Sequence, residues 1–461
     1  MINYFNFKKF DDEYLISNDF GYHMFLSETD LRELVMDKLT IKNERYSEFT
    51  EKGFVYNCNK EVFVDNFHNK MKDSKNYLFS STSLHIFVVT NICNVRCLYC
   101  QAQSSAKNNK GMMTEETAKK AVDIALRSNS NYLTFEFQGG EPLINFDVIK
   151  FIVEYSEEKC GDKCIEYNLV SNLTLLNEEM LSFLKKHNVK ISTSIDGDME
   201  LHNKNRPYIN GSGTYDDAVC KLKKVQEIGL SSGAIQTTTR YSLPKFREII
   251  DTYIQLGMTG IFLRPLTPLG FAYDKWSEIG YSTSEFLAFY EKSLEYLIKL
   301  NQSGIRCSEG HASIFLHKIF DQYPVNYMEL RSPCGAGIGQ LAYYYDGQIF
   351  TCDEGRMFYE MGDSSFKLGT VDNNYEEIIS SPVCKAVCEA SLLECTTQCC
   401  DCVYQPFCGT CHILNLAFNH NIFAQPNDYK CGVYGGMLDI IFGIIKRNDP
   451  NEISVLKSWI N

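Results

Sequence analysis

Residues 93–100, read as C-N-V-R-C-L-Y-C, decide the fold of this chain. Cys93, Cys97 and Cys100 are separated by three and then two residues, and they come directly after an apolar run at residues 84–89. Thiolates with this spacing can bind three irons of a 4Fe-4S cluster. Such a cluster normally takes four cysteine ligands, so one iron keeps an open position for a small molecule. The alternatives are three buried thiols or a structural zinc site, which would need a fourth ligand close by.

Composition and charge narrow the class of protein. At 461 residues the chain is long enough for about three domains. Its net charge of -13, from 45 basic and 58 acidic side chains, disfavours nucleic-acid and anionic membrane partners. The sequence has no apolar run of transmembrane length and no secretory signal at its N-terminus, so we expect a soluble, cytoplasmic protein. In that reducing compartment the 19 cysteines indicate metal ligation rather than disulfides.

Strands and helices alternate from residue 84 to about residue 300. Apolar, β-branched and aromatic residues predict six strands, at residues 84–89, 132–137, 165–170, 189–195, 234–239 and 260–263. Helical patterns lie between them, at residues 115–127, 147–158, 178–186, 216–228 and 244–256. Such units wind into a parallel sheet, so the predicted fold class is α/β, a partial (βα)6 TIM-type barrel with its site at the carboxyl ends of the strands. The three cysteines follow the first strand, which is where a barrel site requires them.

Short polar segments follow the next three strands. Their members are Gly139, Gly140, Glu141 and Pro142 after the second strand, Ser171 and Asn172 after the third, and Ser194 and Asp196 after the fourth. The two glycines allow a ligand to approach the backbone, and the carboxylate can accept a hydrogen bond from an ammonium group. The alternative for the glycine segment is an ordinary turn between a strand and a helix.

Three motifs together resemble the radical S-adenosylmethionine (SAM) family. They are the C-x3-C-x2-C pattern with Tyr99 before its last cysteine, the G-G-E-P run at residues 139–142, and the S-x-D-G…H-x3-R-P…G-x-G pattern at residues 194–213. The resemblance implies that the open iron binds SAM and cleaves it with one electron, and that the resulting 5'-deoxyadenosyl radical abstracts hydrogen from a substrate. It also implies SAM contacts by Tyr99, by the polar segments and by Arg206, whose planar fork suits the SAM carboxylate. The alternative for Arg206 is a pair with a surface acid.

A second group of cysteines, between residues 334 and 431, resembles the SPASM domain, which holds two auxiliary 4Fe-4S clusters. The segment that contains these cysteines also has a hairpin sequence with an Asp-Gly turn, at residues 343–350. The resemblance assigns the outer cluster to Cys399, Cys402, Cys408 and Cys431, and the inner cluster to Cys334, Cys352 and Cys411. The family spacing would put the last of these ligands at His412, but sulfur is the usual cluster ligand.

The fourth ligand of the inner cluster is open. Cys388, which we take as the candidate, Cys384 or Cys395 completes it, or one iron stays free to bind a substrate sulfur. The alternative to both auxiliary clusters is a pair of zinc-ribbon sites.

The predicted domains are an N-terminal α+β unit at residues 1–80, the barrel at 81–300, a bridging segment at 301–331, the SPASM domain at 332–436 and a tail helix at 437–461. In the first unit two short strands, at residues 14–16 and 22–26, precede a helix at residues 28–38 that Ser27 caps. This order resembles winged-helix precursor-peptide recognition elements, and a plain cap packed on the barrel is the alternative. Residues 4–10, 14–21 and 402–409 are also similar to the paired radical SAM maturase of the His-Xaa-Ser system.

We therefore predict a radical SAM peptide maturase, an oxidoreductase that installs a cross-link or an oxidised residue in a ribosomally made precursor peptide. The expected partners are that peptide, a reductant such as flavodoxin or ferredoxin and, by the narrower resemblance, a second radical SAM protein. One alternative is an anaerobic sulfatase-type formylglycine maturase, which would need an acidic general base at the barrel mouth. Another is a non-catalytic electron carrier or sensor with several clusters, although such a carrier needs neither the G-G-E-P run nor a barrel. No catalytic side chain is assigned.

Overall fold

The computed structural model describes residues 1–56, 58–104, 111–426 and 428–460. The chain divides into two compact units. The first comprises Met1–Phe79, Ala312–Gly335 and Glu389–Asn461, and the second comprises Ser80–His311 and Ala336–Cys388. Each unit is therefore built from segments that are distant in the sequence, and the predicted domain boundaries stay a prediction.

The described residues form thirteen strands and nineteen α-helices. The strands β1 to β13 are, in chain order, Asn6–Phe10, Glu13–Ser17, His23–Leu26, Leu84–Thr90, Tyr132–Gly139, Cys164–Val170, Lys190–Ser194, Ser232–Thr237, Gly260–Arg264, Ser308–Glu309, Gln340–Tyr344, Gln348–Phe350 and Lys367–Thr370. The helices α1 to α19 are Glu28–Val35, Tyr46–Glu51, Lys60–Ser74, Glu115–Ala125, Phe146–Lys159, Glu178–Lys186, Met199–Asn205, Tyr215–Glu227, Phe246–Gln255, Phe271–Asp274, Trp276–Ile279, Thr283–Gln302, Gly310–Phe320, Asp353–Glu360, Tyr375–Ile379, Pro382–Ala390, His412–Asn419, Asp428–Arg447 and Pro450–Ser458. Short 3-10 helices lie at Asn76–Phe79, Pro142–Asn145, Leu243–Lys245 and Leu393–Cys395.

A small antiparallel sheet begins the first unit. Its order is β1-β2-β3, and the helices α1, α2 and α3 follow it. The Ser27 side chain accepts a hydrogen bond from the N–H of Asp30 and so caps α1, as its sequence predicts. The sequence predicts β2, β3 and α1 but not β1, because the exposed Lys8 and Lys9 interrupt the apolar alternation there.

The second unit contains a ten-stranded sheet. Its order is β10-β9-β8-β7-β6-β5-β4-β11-β12-β13, and β4 to β9 are the six parallel strands that the sequence predicts. The helices α4, α5, α6, α8 and α9 lie between consecutive strands of this set along the chain. The site-bearing segments follow β4, β5, β6 and β7, so they meet at the carboxyl edge of one parallel sheet.

The predicted hairpin forms between β11 and β12, and it continues the large sheet. Gly347 turns it with a φ of +87°, in the left-handed region that glycine adopts without strain. β11 pairs in parallel with β4, with Leu84 opposite Gln340 and Val88 opposite Tyr344. This pairing was not foreseen from the sequence, because no local pattern reports which distant strand covers an edge.

Across the described ranges, no helix has both the length and the apolar character that crossing a membrane requires.

Candidate active site

The cysteine segment after β4 is held on one side by the glycine turn after β5. The N–H of Gly140 donates to the carbonyl of Thr90 at 2.9 Å, and the N–H of Glu141 donates to the carbonyl of Ile92 at 2.8 Å. A Cβ on Gly140 would lie 2.3 Å from the Ile92 carbonyl oxygen, and one on Gly139 would lie 2.1 Å from that of Thr90. Only glycine permits this approach, so the two segments are packed backbone against backbone.

The cysteine segment is also hydrogen-bonded to the last residue of α7 and to the segment that follows it. The N–H of Arg96 donates to the carbonyl of Pro207 at 2.8 Å, and the N–H of Leu98 donates to the carbonyl of Asn205 at 2.9 Å. Backbone contacts with both segments therefore hold the three cysteines at the carboxyl edge of the sheet.

Cys93, Cys97 and Cys100 line one cavity. Burial raises the pKa of the Cys97 thiol to about 12 and that of Cys93 well above its ordinary value, and the neighbouring thiols raise the pKa of Cys93 further. A thiol that burial keeps protonated becomes a thiolate when a cation such as iron binds it. The N–H of Val95 also donates to Cys93 Sγ at 3.4 Å. These three side chains fit an iron-sulfur cluster.

The cavity is open to solvent and encloses about 970 Å³ of empty space, part of which is open solvent. Six of the predicted cofactor contacts line it: Tyr99, Gly139, Gly140, Ser171, Asn172 and Arg206. The lining also includes Gln138 on β5, Thr237 on β8, Arg264 on β9 and Met357 on α14. Four elements of the second unit, β5, β8, β9 and α14, thus contribute polar or flexible side chains to the same space.

Tyr99 links the buried acid and the buried cation of this site. Its pKa is raised well above the ordinary value, chiefly by burial, so its hydroxyl stays protonated and donates to both oxygens of Asp196 at 2.9 Å. Arg206 Nη1 donates to the same hydroxyl oxygen at 2.8 Å. Asp196 is fully buried and also accepts from Asn205 Nδ2 at 3.0 Å. Asp196, which does not line the cavity, therefore holds the Tyr99 hydroxyl by hydrogen bonds, and Arg206 lines the cavity itself.

Glu141, like Asp196, is not part of the cavity lining. Its carboxylate accepts from Ser171 Oγ at 2.7 Å and from the N–H of Asn172 at 2.8 Å, and its side chain is fully buried. It therefore joins the turn after β5 to the end of β6. Among the described residues, Pro142 and Ser194 are likewise outside the lining, and ligand contacts by Glu141, Pro142, Ser194 and Asp196 stay predictions.

One ionisable side chain beside the cavity, that of Glu136, belongs to none of the predicted motifs. Glu136 lies two residues before Gln138 on β5, so both side chains project from one face of the strand. Burial, chiefly, raises the pKa of Glu136, and the nearby Asp353 raises it further while Arg264 opposes the shift. Asp353 begins α14 one turn before Met357, and its carboxylate accepts from Arg356 Nε at 3.0 Å. The sequence signal for this residue was an acidic side chain within β5, a strand otherwise rich in apolar and aromatic residues.

The first unit brings the four predicted outer-cluster cysteines together. Burial, chiefly, raises the pKa of Cys399 to about 12, and the thiols of Cys408, Cys402 and Cys431 lie close enough to raise it further. The N–H of Tyr404 donates to Cys402 Sγ at 3.4 Å. A thiol with three others near it, one of which accepts an N–H···S hydrogen bond, fits a 4Fe-4S cluster.

The cysteines predicted for the inner cluster are divided between the units. Cys334 and Cys411 belong to the first unit, and Cys352, Cys384 and Cys388 belong to the second. In the second unit, Cys352 Sγ accepts from the N–H of Gly355 at 3.4 Å. Cys384 is buried there beside Gly337 and lies close enough to Cys388 for their charges to interact. The ligand set of the inner cluster stays a prediction.

Cys395 and His412 both lie in the first unit. Cys395 is exposed, whereas His412 is buried and its pKa is lowered to about 3 by burial, so its imidazole is neutral. Within the part of the chain that the structure describes, no three His, Cys, Asp or Glu side chains surround a single metal ion.

Comparison with known proteins identifies the family. Residues 87–251 match the model of the radical SAM superfamily. A cysteine-type anaerobic sulfatase-maturating enzyme of Clostridium perfringens is 30% identical over 315 residues, which are 63% of this chain and 78% of that enzyme. The chain belongs to the radical SAM superfamily. The resemblance drawn from the motifs is thereby confirmed, and the narrower likeness to the His-Xaa-Ser maturase stays a prediction.

Other relatives match shorter segments. An uncharacterized protein of Methanocaldococcus jannaschii is 35% identical over 183 residues, 40% of this chain and 62% of the relative. The radical SAM cyclopropyl synthase TigE of Paramaledivibacter caminithermalis is 29% identical over 201 residues, 40% of this chain and 42% of that enzyme. The matched segments therefore cover less than two thirds of both relatives.

Solved radical SAM structures share the fold. The structure of anSMEcpe with bound AdoMet matches with a TM-score of 0.70 at 20% identity, covering 82% of this chain and 98% of that one. Streptococcus suis SuiB bound to precursor peptide SuiA matches with a TM-score of 0.57 at 14% identity, covering 93% of this chain and 99% of that one. The mixed α/β fold is thus that of SPASM-type radical SAM maturases. As a member of the superfamily, the chain is an enzyme that binds SAM and a 4Fe-4S cluster.

Proposed function

We propose that this enzyme is a peptide maturase that uses SAM to abstract hydrogen from a ribosomally made precursor peptide and so installs a cross-link or an oxidised residue. The observation that carries the proposal is the convergence of three thiols, the Gly139–Gly140 turn and Arg206 on one open cavity. Two compared proteins have names or descriptions that support a peptide as substrate, namely SuiB with its precursor peptide and the sulfatase-maturating enzyme.

Each part of the cavity has a proposed task. Cys93, Cys97 and Cys100 hold the cluster, which with SAM supplies a reactive radical when both are bound. Gly139 and Gly140 leave backbone groups open to the SAM amino group, and Arg206 binds the SAM carboxylate. Gln138, Thr237, Arg264 and Met357 then form the part of the lining that orients the peptide and excludes water. An external reductant such as flavodoxin or ferredoxin supplies the electron.

The N-terminal α+β unit is proposed to bind the precursor peptide. Its three antiparallel strands followed by three helices extend the strand-strand-helix order that its sequence suggested. A second radical SAM protein as partner is part of the same proposal, through the likeness to the His-Xaa-Ser system.

Formylglycine formation on a sulfatase is the second candidate. It needs a general base, and Glu136 and the neighbouring Asp353 supply two carboxylates beside the cavity, with the pKa of Glu136 raised chiefly by burial. A carboxylate whose pKa is raised is a stronger base than an ordinary carboxylate, which suits Glu136 to accept a proton. The similarity to the Clostridium perfringens enzyme supports this candidate.

The test is an anaerobic assay of the protein reconstituted with iron and sulfide, supplied with dithionite and SAM. One arm contains a His-Xaa-Ser precursor peptide and the other a sulfatase peptide with its cysteine or serine. We expect 5'-deoxyadenosine, with loss of two hydrogens from the precursor peptide. Cys97→Ala should abolish both products, and Cys220→Ala, which removes an exposed thiol, should leave them unchanged.

Each outcome separates the candidates. An aldehyde on the sulfatase peptide, lost in Glu136→Gln or Asp353→Asn while 5'-deoxyadenosine persists, would favour formylglycine formation. Full iron content with no 5'-deoxyadenosine in either arm would count against both candidates and favour an electron carrier.

A further inference from the structure

The loop that carries three outer-cluster cysteines is bonded to the N-terminal sheet within the first unit. Asn6 Nδ2 donates to the carbonyl of Cys400 at 2.9 Å and to that of Cys402 at 3.1 Å. Ser17 Oγ donates to the carbonyl of Val403 at 2.6 Å. Three carbonyls in four consecutive residues are thus held by two side chains that lie almost 400 positions earlier in the chain.

The two donors act from one face of the sheet. Asn6 on β1 and Ser17 on β2 are directly opposite each other in the antiparallel register, so their side chains project on the same side. Ser17 is 1% exposed and Asn6 is 7% exposed. The hydrogen bond from Ser17 is buried and therefore costly to break, because the Val403 carbonyl left behind would have no water to replace its partner.

The bond from Ser17 determines the direction of one N–H group. A trans peptide group points its carbonyl and its N–H in opposite directions. The carbonyl of Val403 and the N–H of Tyr404 belong to the same peptide group, and that N–H donates to Cys402 Sγ at 3.4 Å. Holding the oxygen on one side therefore aims the N–H at the sulfur on the other side.

We propose that Ser17 is a positioning residue that sets the reduction potential of the outer cluster through the Val403–Tyr404 peptide group. Hydrogen bonds to ligand sulfurs are among the factors that set cluster potentials, because they stabilise the more negative reduced state. Asn6 supports this effect by fixing the two carbonyls that precede Val403. The N-terminal unit is then part of the electron-transfer apparatus as well as a proposed peptide-binding module. The inference rests on Cys402 as a ligand of the outer cluster.

The experiment is a redox titration of the full, reconstituted protein, followed by EPR, for the wild type, Ser17→Ala and Ser17→Thr. In Ser17→Ala the midpoint potential of one auxiliary cluster should become more negative, while that of the SAM-binding cluster stays unchanged. Ser17→Thr keeps the hydroxyl, so its potential should return towards that of the wild type. Ser47→Ala, which removes an exposed hydroxyl from α2 of the same unit, should leave all potentials unchanged.

Iron content completes the test. Loss of one cluster's iron, about four per chain, in Ser17→Ala but not in Ser17→Thr would also support the positioning role. Equal potentials and equal iron in the wild type and Ser17→Ala would overturn it, as would the same iron loss in both Ser17 variants. Cys402→Ser is titrated in parallel, and unchanged iron and spectra in that variant would overturn the ligand assignment and the inference with it.

Discussion

At the scale of single residues, the Tyr99 hydroxyl connects Asp196 to Arg206. Tyr99→Phe removes hydrogen bonds to two charged groups, each worth about 1.5–3 kcal/mol. We therefore expect the Kd of SAM to rise about tenfold or more, because Arg206 loses the partner that orients it. Equilibrium binding of SAM to the reconstituted protein measures the change.

The matched control for this prediction is Tyr132→Phe, which alters a tyrosine that is 76% exposed at the start of β5. The iron content of both variants should equal that of the wild type. An unchanged SAM affinity in Tyr99→Phe would mean that the hydroxyl does not orient Arg206.

The hydrogen-bond partners of Glu141 could not be predicted from its place in the motif. The motif predicts a ligand contact for its carboxylate, and the fold surrounds that carboxylate with Ser171 and the N–H of Asn172. Those partners directly follow the next strand, β6, and their direction depends on how β5 and β6 align. By contrast, the grouping of Cys93, Cys97 and Cys100 could be predicted, because a spacing of three and two residues brings thiols together within a single loop.

At the scale of elements, the contact between the turn after β5 and the cysteine segment is tight. Gly140→Ala would place a Cβ 2.3 Å from the carbonyl oxygen of Ile92, so one of the two segments must move. We expect loss of the SAM-binding cluster and of SAM cleavage, with the auxiliary clusters retained. Iron analysis and EPR, with and without SAM, measure both effects.

Gly233→Ala on β8 is the control for this change, because a Cβ there meets no atom within 4 Å. Equal SAM cleavage by Gly140→Ala and Gly233→Ala would show that the cysteine segment tolerates displacement.

The six parallel strands were predictable as elements, and two of the helices between them, α4 and α6, begin at residues whose side chains cap them. Asn177, for example, accepts from the N–H of Met180 at 2.9 Å at the start of α6. Both signals are local, since strand composition and capping depend on residues within one turn or one strand. β1 was not predicted, because two adjacent lysines are typical of a loop. Its pairing with β2 outweighs that local signal.

At the scale of the whole molecule, iron binding and folding should be coupled more strongly in some parts of the chain than in others. Residues 396–411 contain no helix or strand, and the proposed outer cluster would link four of the cysteines there or nearby. Removing iron with a chelator under reducing conditions should therefore raise amide hydrogen exchange at residues 396–411. Strands β5 and β6 should keep their protection, because their ladder does not depend on the metal.

Hydrogen exchange read by mass spectrometry before and after chelation makes this comparison. A uniform rise along the chain, or none at residues 396–411, would contradict the prediction. The division into two interleaved units was not predictable, because it depends on which distant segments pack together rather than on any local pattern.

The pairing of β4 with β11 has a consequence for synthesis. One edge of β4 pairs with β5, with Leu84 opposite Thr134, and β5 is synthesised soon after β4. The other edge of β4 can pair only after Gln340 and the rest of β11 have been synthesised. During that interval the growing chain carries an unpaired, apolar strand edge, the kind of surface on which nascent proteins aggregate. Translation speed and chaperone supply should therefore govern the yield of this enzyme in a heterologous host, before any iron is inserted.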